Sequence, residues 1–250
     1  LVMRMKENNP DRVIYLADAR QSMHFIQVFR CARKTGIVPD TTELVHIGFG
    51  TMNGKDGKPF KTRDGGVMRL EYLLKEIDDE MLNKIKENQK EKENLNIDEA
   101  EAEQTAKTVA LAAVKYGDLS NQASKDYIFD IDRFTSFEGN TGPYILYTIV
   151  RIKSILSKYE AKGGDISALK DAIMPAVNAG QKNLMLSLAK FNATIESAYE
   201  ESAPHKICAY IYELANAFNG FYHDTKILSE ENEELKLSLI HISEPTRLAL

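Results

Sequence analysis

The sequence is poor in cysteine: among its 250 residues, Cys31 and Cys208 are the two copies. They lie far apart and form no Cys-x-x-Cys pair, so the pattern supports neither a disulfide framework nor a zinc site. We therefore expect both thiols to be reduced packing residues, and we predict no metal site built from this chain.

Long apolar runs are also absent. No stretch approaches the roughly 18 apolar residues that cross a bilayer, and the first residues lack the charged-then-apolar order of a signal peptide. These absences predict a cytoplasmic protein with no membrane partner.

An excess of positive charge is missing too, because the net charge is -5. A general nucleic-acid coat needs surplus Lys and Arg facing phosphates, so any RNA contact must be local.

The hydrophobic content of 43% suffices for two domains, the first with strands and the second helical. Residues 13–17 are β-branched and aromatic, and residues 43–49 form a second such run before the turn NGKDG. Between them Phe25, Val28 and Phe29 lie at helical spacing. This order predicts two parallel strands joined by a helix, as in a doubly wound sheet.

The strand signal ends at residue 70. Residues 76–105 are mostly Glu, Lys, Asn and Asp with sparse apolar residues at helical spacing, which predicts a solvated helical hairpin. From Tyr144 onward, long amphipathic segments broken at Gly180 and Pro204 predict a bundle of about four or five helices. The predicted fold is an α/β piece followed by an all-α domain.

Polar residues follow the first predicted strand in YLADARQSMHF. Gln21 and His24 come just beyond its carboxyl end, where open α/β sheets bind ligands. The alternative is that both are helix-capping or surface residues. After the second strand, HIGFG (His46 to Gly50) contains glycines that let backbone approach a flat ligand closely. The alternative there is a strand end with a bulge.

Residues 58–66, KPFKTRDGG, combine two lysines, a hydroxyl and glycines on a predicted loop. Such a loop can place cations over a polyphosphate and neutralise the charge that develops on a leaving pyrophosphate. An ordinary basic surface loop is the alternative.

Together these segments resemble the second half of the catalytic domain of class I aminoacyl-tRNA synthetases, specifically the arginyl enzymes. The resemblance covers residues 13 to about 235 and implies a Rossmann-type α/β domain. In that family a YxxDxRQxxHF segment supplies a glutamine that holds arginine and a histidine near ATP, here Gln21 and His24. An HxxFG segment borders the adenine, which assigns His46, Phe49 and Gly50 to ATP binding.

The family's KMSKS signature occurs in degenerate form, and KPFKT is similar to it. The resemblance therefore implies catalytic roles for Lys58, Lys61 and Thr62. Pro59 and Phe60 depart from the strict signature.

The helical part resembles the anticodon-binding domain of the same family, of the DALR type. Residues 116–156 are similar to its junction with the catalytic domain, and residues 205–228 to its late helix. Tyr144, Tyr147 and Arg151 lie at i, i+3 and i+7, so one helix face carries two aromatic rings and a cation suited to unpaired bases and phosphate. Two core tyrosines and a solvated arginine are the alternative. Further candidates for RNA contact are Asn219, Tyr222 and His223.

The resemblance implies ATP-dependent activation of L-arginine with Mg2+ and transfer to tRNA(Arg), by an enzyme that is monomeric at full length. The HIGH signature of the family is missing, since His46-Ile47-Gly48-Phe49 lacks the second histidine. We therefore expect a chain cut at both ends and inactive alone. Two other hypotheses remain: a non-catalytic tRNA-binding module, and a related synthetase of other specificity.

The final residues differ in character from the rest. Residues 237–247, LSLIHISEPTR, read as the translation of a sequencing adapter, and residues 248–250 as its index. A native polar tail is the alternative. We expect a catalytic remnant over residues 1–75, a helical connecting segment over 76–136, an anticodon-binding domain over 137–236, and a tail over 237–250 that takes no part in the fold.

Overall fold

The computed structural model describes residues 1–59, 69–91, 98–166 and 173–250. The chain divides into two compact units. The first comprises Leu1–Gly66 and Asn121–Phe129, and the second comprises Val67–Ser120 and Asp130–Leu250.

The first unit is built on two parallel strands and one helix. After α1 (Val2–Asn8) come β1 (Arg12–Asp18), a 3-10 turn (Ala19–Gln21), α2 (Ser22–Lys34) and β2 (Glu43–Phe49). The strands pair in register along their whole length, with Asp18 opposite Phe49 at the carboxyl ends. The predicted strand, helix and parallel strand are therefore confirmed.

Helix α2 covers one face of this sheet with aromatic side chains. The ring centroid of Phe25 lies 5.1 Å from that of Tyr15, and the ring of Phe29 lies 5.8 Å from Tyr15. The opposite face presents Ile14 and Leu16, which are 48% and 67% exposed. Parallel sheets are normally covered on both faces, so this unit carries an apolar face that α2 does not cover.

A second, shorter pairing brings a later segment back to the first unit. Strands β3 (Met52–Asn53) and β4 (Tyr127–Ile128) are parallel, and the N–H of Tyr127 donates to the carbonyl of Thr51 at 3.1 Å. The sequence predicted that residues 121–129 belong to a helical connecting segment. Strands of two residues are too short to show an alternating pattern, which explains the difference.

The second unit is helical. Its helices are α3 (Leu70–Glu91), α4 (Glu99–Leu119), α5 (Ile131–Phe134), α6 (Gly142–Ala161), α7 (Ala179–Ala189), α8 (Phe191–Glu200), α9 (Pro204–Asp224) and α10 (Glu233–Ala249). The predicted hairpin corresponds to α3 and α4, which pack against each other. Ile77 and Ala110 on its inner side are fully buried. The hairpin therefore has a buried apolar face in addition to the predicted solvated face.

Helix α6 begins at Gly142, two residues before the amphipathic pattern that the sequence predicted from Tyr144. The hydroxyl of Thr141 accepts a hydrogen bond from the N–H of Tyr144 at 3.3 Å, and Pro143 occupies the first turn, where its missing N–H costs nothing. A Cβ on Gly142 would lie 2.3 Å from the carbonyl oxygen of Ala112 in α4. The glycine therefore lets α6 start directly against α4.

The main core of this unit joins α6, α7, α9 and α10. Its fully buried members are the aliphatic residues Ile152, Leu184, Leu214 and Ile240 and the aromatic residues Phe218 and Phe221.

The carboxy-terminal segment differs from its expectation. Leu239 and Ile242 are 1% and 2% exposed, and the hydroxyl of Ser238 accepts the N–H of Met174 at 2.9 Å. Residues 237–249 therefore form most of α10 and contribute buried side chains to the core, and the expectation that this segment takes no part in the fold is wrong. Apolar residues at helical spacing form an apolar helix face that packs against a core, whether or not the segment was encoded by the natural gene. The adapter origin itself stays a prediction.

None of the described helices is long and apolar enough to span a membrane. Both cysteines are free thiols, and Cys208 is buried as expected of a packing residue. Cys31 is exposed, so the expectation that it is a packing residue is wrong.

Candidate functional site

The first unit places the predicted nucleotide residues around the carboxyl ends of β1 and β2, which we call the strand edge. Gln21 directly precedes α2 and makes no capping hydrogen bond with its side chain. Gln21 therefore does not cap α2, and because its side chain is exposed the surface-residue alternative remains beside the predicted substrate role. His24 lies in the first turn of α2 and is exposed as well.

Asp18 and Arg20 shape the turn that presents Gln21. The Asp18 carboxylate accepts from the backbone N–H of Arg20 at 2.8 Å and from its guanidinium at 2.9 and 2.6 Å. These bonds to Arg20 lower the pKa of Asp18 to about 2. The sequence reasoning did not include this pair, although an Asp side chain that accepts from the backbone N–H two residues further on is a typical turn-forming arrangement.

The ring of Phe25 brings two predicted site histidines together. His46 stacks on it at 4.5 Å between centroids, and His24 meets it edge-on at 5.5 Å. The Nε2 atom of His46 is buried and has no hydrogen-bond partner among the described residues. The sequence placed Phe25 at helical spacing with Val28 and Phe29, and the structure adds its ring contacts with His24 and His46.

The glycines after β2 make room for the protein's own backbone. A Cβ on Gly48 would lie 2.8 Å from the Cα of Ala19, and one on Gly50 would lie 2.5 Å from the carbonyl of Lys125. Phe49 between them is 42% exposed at the strand edge. Close approach of a ligand to Gly50 stays a prediction, while close approach of the chain is a finding.

Lys58 lies on the predicted turn. Gly54 donates its N–H to the carbonyl of Lys58 at 2.8 Å, and Gly57 adopts a φ of 71°, which favours glycine. The N–H of Lys58 donates to the Asp56 carboxylate at 3.1 Å. The side chain of Lys58 is exposed, whereas Lys61 and Thr62 lie outside the described residues.

The second unit contains a groove of about 790 Å³ between α6 and α9, which we call the α6–α9 groove. Arg151 lies in its wall, with its guanidinium 4.7 Å from the ring centroid of Tyr147 and 5.1 Å from that of Tyr222. It also donates to the hydroxyl of Tyr147 at 3.0 Å and to the side-chain oxygen of Asn219. A cation between two aromatic faces is a stable arrangement.

The three predicted RNA residues on α6 are not equivalent. Tyr147 is 49% exposed and lines the groove with Arg151. Tyr144 lies behind them: its hydroxyl donates to Asn216 at 2.7 Å, and its ring meets Tyr212 edge-on at 5.8 Å. Asn219, Tyr222 and His223 from α9 complete the same groove.

The groove concentrates positive charge in a chain whose net charge is -5. Its cations are Arg151, Lys158, Lys162 and Lys226, and no Asp or Glu stands among the described residues that line it. Exposed aromatic rings beside unopposed cations suit unpaired bases and their phosphates.

Comparisons with known proteins agree with this geometry. The family model for the catalytic domain of class I (R) tRNA synthetases matches residues 1–131, and the DALR anticodon-binding domain matches residues 145–250.

Among curated relatives, an arginine-tRNA ligase of Agathobacter rectalis is 98% identical over 242 residues, covering 97% of this chain and 40% of the relative. One from Alkaliphilus oremlandii is 54% identical, covering 96% of this chain and 39% of the relative. The chain thus spans about 40% of the length of these relatives.

Solved structures give the same picture. The arginyl-tRNA synthetase of Plasmodium falciparum superposes with a TM-score of 0.78 at 26% identity, over 99% of this chain and 40% of that one. For the Thermus thermophilus enzyme, the fold alone is similar, with a TM-score of 0.77 at 22% identity over 96% of this chain and 38% of that one. The catalytic-domain model matches more than half of the chain, over residues 1–131. The strand edge in the first unit and the DALR-type bundle in the second fit that match. The chain therefore belongs to the arginyl-tRNA synthetase family of class I synthetases.

Proposed function

We propose that this chain forms part of an arginine-tRNA ligase, which activates L-arginine with ATP and transfers it to tRNA(Arg). The observation that carries the proposal is the strand edge, where Gln21, His24 and Phe49 surround the carboxyl ends of two parallel strands in register. Open α/β sheets bind nucleotides at such edges. The apolar sheet face with Ile14 and Leu16 supports a larger catalytic domain in the working enzyme.

The reaction has two balanced steps. A carboxylate oxygen of arginine attacks the α-phosphorus of ATP, and the bond to the leaving pyrophosphate breaks with its electron pair on the pyrophosphate oxygen. A ribose hydroxyl of the tRNA then attacks the carbonyl carbon, the bond to the phosphate oxygen breaks, and AMP leaves while the hydroxyl proton passes to its phosphate or to water. Neither step needs a covalent protein nucleophile, so the protein contributes positioning and charge stabilisation.

We assign the residues of the first unit to these steps. The exposed amide of Gln21 contacts the arginine substrate. His24, His46, Phe49 and Gly50 surround the ATP base and sugar, with the unpartnered Nε2 of His46 as an available hydrogen-bonding atom.

The turn at Gly57 carries Lys58 toward solvent, which supports a role over the phosphates. With Lys61 and Thr62, Lys58 stabilises the charge that develops on pyrophosphate.

Mg2+ is proposed as a companion of the ATP phosphates rather than as a resident ion. Among the described residues, no group of three or more His, Cys, Asp or Glu side chains lies close enough to hold a metal. Mg2+ is commonly held through substrate phosphates and water with few protein ligands. We therefore assign no step to a metal held by this chain.

In the second unit we propose that the α6–α9 groove binds the anticodon loop of tRNA(Arg). Tyr147 and Tyr222 offer faces to unpaired bases, and Arg151 with the three lysines offers charge to phosphates. Tyr144 supports this surface from behind through its hydroxyl bonds.

The test is ATP-pyrophosphate exchange by the full-length protein that contains this chain, with tRNA(Arg) and each standard amino acid in turn. We expect pyrophosphate exchange with arginine and with no other amino acid. Lys58→Ala and Lys61→Ala should each reduce the exchange rate while arginine binding changes little. Exchange with a different amino acid would identify a synthetase of other specificity. tRNA binding without any exchange would identify a non-catalytic tRNA-binding module.

We also propose that the full-length enzyme is a cytoplasmic monomer, because charging of tRNA for translation requires neither a membrane nor a second copy. Sedimentation of the purified full-length protein at micromolar concentration tests the monomer, and a mass of two chains would contradict it.

A further inference from the structure

The side chain of Asn219 lies where α9 packs against α6, and it is hydrogen-bonded to three α6 residues. Its Oδ1 accepts from the guanidinium of Arg151. Its Nδ2 donates to the hydroxyl of Tyr144 at 2.9 Å and to the hydroxyl of Thr148 at 3.1 Å. Both hydrogens and the oxygen of this one amide are therefore in use.

The neighbouring bonds fix the orientation of the Asn219 amide. The hydroxyl of Tyr144 donates its proton to Asn216 at 2.7 Å, and the hydroxyl of Thr148 donates to the backbone carbonyl of Tyr144 at 3.1 Å. Each oxygen can then only accept from Asn219, while a guanidinium can only donate. Of the two possible amide orientations, one satisfies all three partners.

This fixed amide determines where Arg151 can lie. A free arginine side chain samples many rotamers, and ordering it opposes binding. Here the guanidinium is held by Asn219 on one side and by the hydroxyl of Tyr147 at 3.0 Å on another. These bonds hold the guanidinium between the rings of Tyr147 and Tyr222.

We propose that Asn219 is a positioning residue for RNA binding, which holds the Arg151 guanidinium between Tyr147 and Tyr222 as a preformed platform for an unpaired base and its phosphate. This inference rests on the proposed RNA contact of the α6–α9 groove. Asn219 itself needs no contact with RNA. Thr148, which is fully buried, anchors the amide to the helix interior.

The test is a double-mutant cycle in the 250-residue chain, with Asn219→Ala, Arg151→Ala and the double variant. The probe is a fluorescent tRNA(Arg) transcript at fixed salt, and Kd is measured for each protein. Arg151→Ala should weaken binding about ten-fold, and Asn219→Ala about three- to ten-fold. In the Arg151→Ala background, Asn219→Ala should add nothing, because it acts through Arg151.

Asn216→Ala is the matched control. Asn216 is also on α9, is exposed, and bonds to the same Tyr144 hydroxyl, but it has no bond to Arg151. Binding should fall less in this variant than in Asn219→Ala, because the bond between Asn219 and Arg151 remains. A loss equal to that of Asn219→Ala would show that general loosening between α6 and α9 is the cause and would overturn the proposal.

A second measurement is independent of RNA and of the stability of one variant. Relaxation of the Arg151 guanidinium signal in nuclear magnetic resonance should report a rigid side chain in the wild type and a mobile one in Asn219→Ala or Asn219→Ser. An unchanged signal in a folded variant overturns the positioning role.

The outcomes separate the two proposals. Additive losses in the cycle overturn the role of Asn219 while leaving the groove as the RNA site. If Arg151→Ala itself leaves Kd unchanged, the proposed RNA contact of Arg151 fails and the positioning role fails with it.

Discussion

The backbone N–H of Gly50 donates a 2.8 Å hydrogen bond to the carbonyl of Ala123. This bond ties the end of β2 to a segment that returns from a distant part of the sequence. The N–H of Thr51 then donates to the Asp126 carboxylate at 2.6 Å. The strand edge is thus completed by residues that the α/β segment of the chain does not itself contain.

Gly50→Ala should destabilise the first unit, because the added Cβ would lie 2.5 Å from the Lys125 carbonyl and backbone cannot move aside cheaply. We expect a loss of about 1 to 3 kcal/mol in the free energy of unfolding, measured by urea denaturation. Gly220→Ala is the control of opposite sign: it meets nothing within 4 Å in α9 and should stabilise by about 1 kcal/mol or less. Equal midpoints for Gly50→Ala and wild type would contradict the close approach.

Leu239→Ala should destabilise the second unit by about 2 to 5 kcal/mol, because it leaves a cavity in the core joined by α10. Leu248→Ala in the same helix is the matched control, since Leu248 is 68% exposed. Thermal unfolding distinguishes the two variants. If both behave as wild type, α10 is not packed in solution.

The origin of residues 237–250 is checked separately, by reading the genomic DNA across codon 237. An adapter origin predicts that the natural reading frame diverges there. An identical natural sequence would show that α10 is native.

The stability contributed by Asp18 should depend on pH. Its folded pKa of about 2 lies below the ordinary value, so the contribution is complete above about pH 4 and is lost as the pH falls toward 2. The difference in urea midpoint between wild type and Asp18→Asn should therefore shrink over this window. A difference independent of pH would mean that the bond to Arg20 is not ionic in solution.

The two thiols should react at different rates. Cys31 is exposed, whereas Cys208 is 7% exposed and burial raises its pKa to about 11. At pH 8 a maleimide should modify one thiol rapidly and the second only as the helical unit opens. Cys31→Ser should abolish the fast phase. Two fast phases would show that α9 does not shield Cys208.

The sequence predicts the elements that have a clear period. The β-branched and aromatic run at residues 13–17 and the helical spacing from Phe25 predicted the parallel strands and α2, and the amphipathic pattern from Tyr144 onward predicted α6. The return of residues 121–129 to β3 was not predictable, because its strands are two residues long. Backbone bonds rather than a side-chain pattern determine that contact.

The site was predictable to a similar extent. Tyr147, Arg151 and Asn219 were all candidates, but the bond between Arg151 and Asn219 depends on how α9 is rotated against α6. Core packing decides that rotation, and local sequence does not encode it. The adapter interpretation failed to predict the packing of α10 for a related reason: Leu239 is buried because of its helical position, independently of its origin.

Charging of tRNA by the full-length protein that contains this chain tests both binding-site assignments at once. KM is measured separately for arginine and for tRNA(Arg). Gln21→Ala should raise the KM for arginine about ten-fold with the KM for tRNA unchanged. Arg151→Ala should raise the KM for tRNA about ten-fold with the KM for arginine unchanged at saturating tRNA. Two results would contradict the assignment of the strand edge to arginine and of the α6–α9 groove to tRNA. One is charging of the tRNA with another amino acid, and the other is a KM for arginine and a KM for tRNA that both variants leave unchanged.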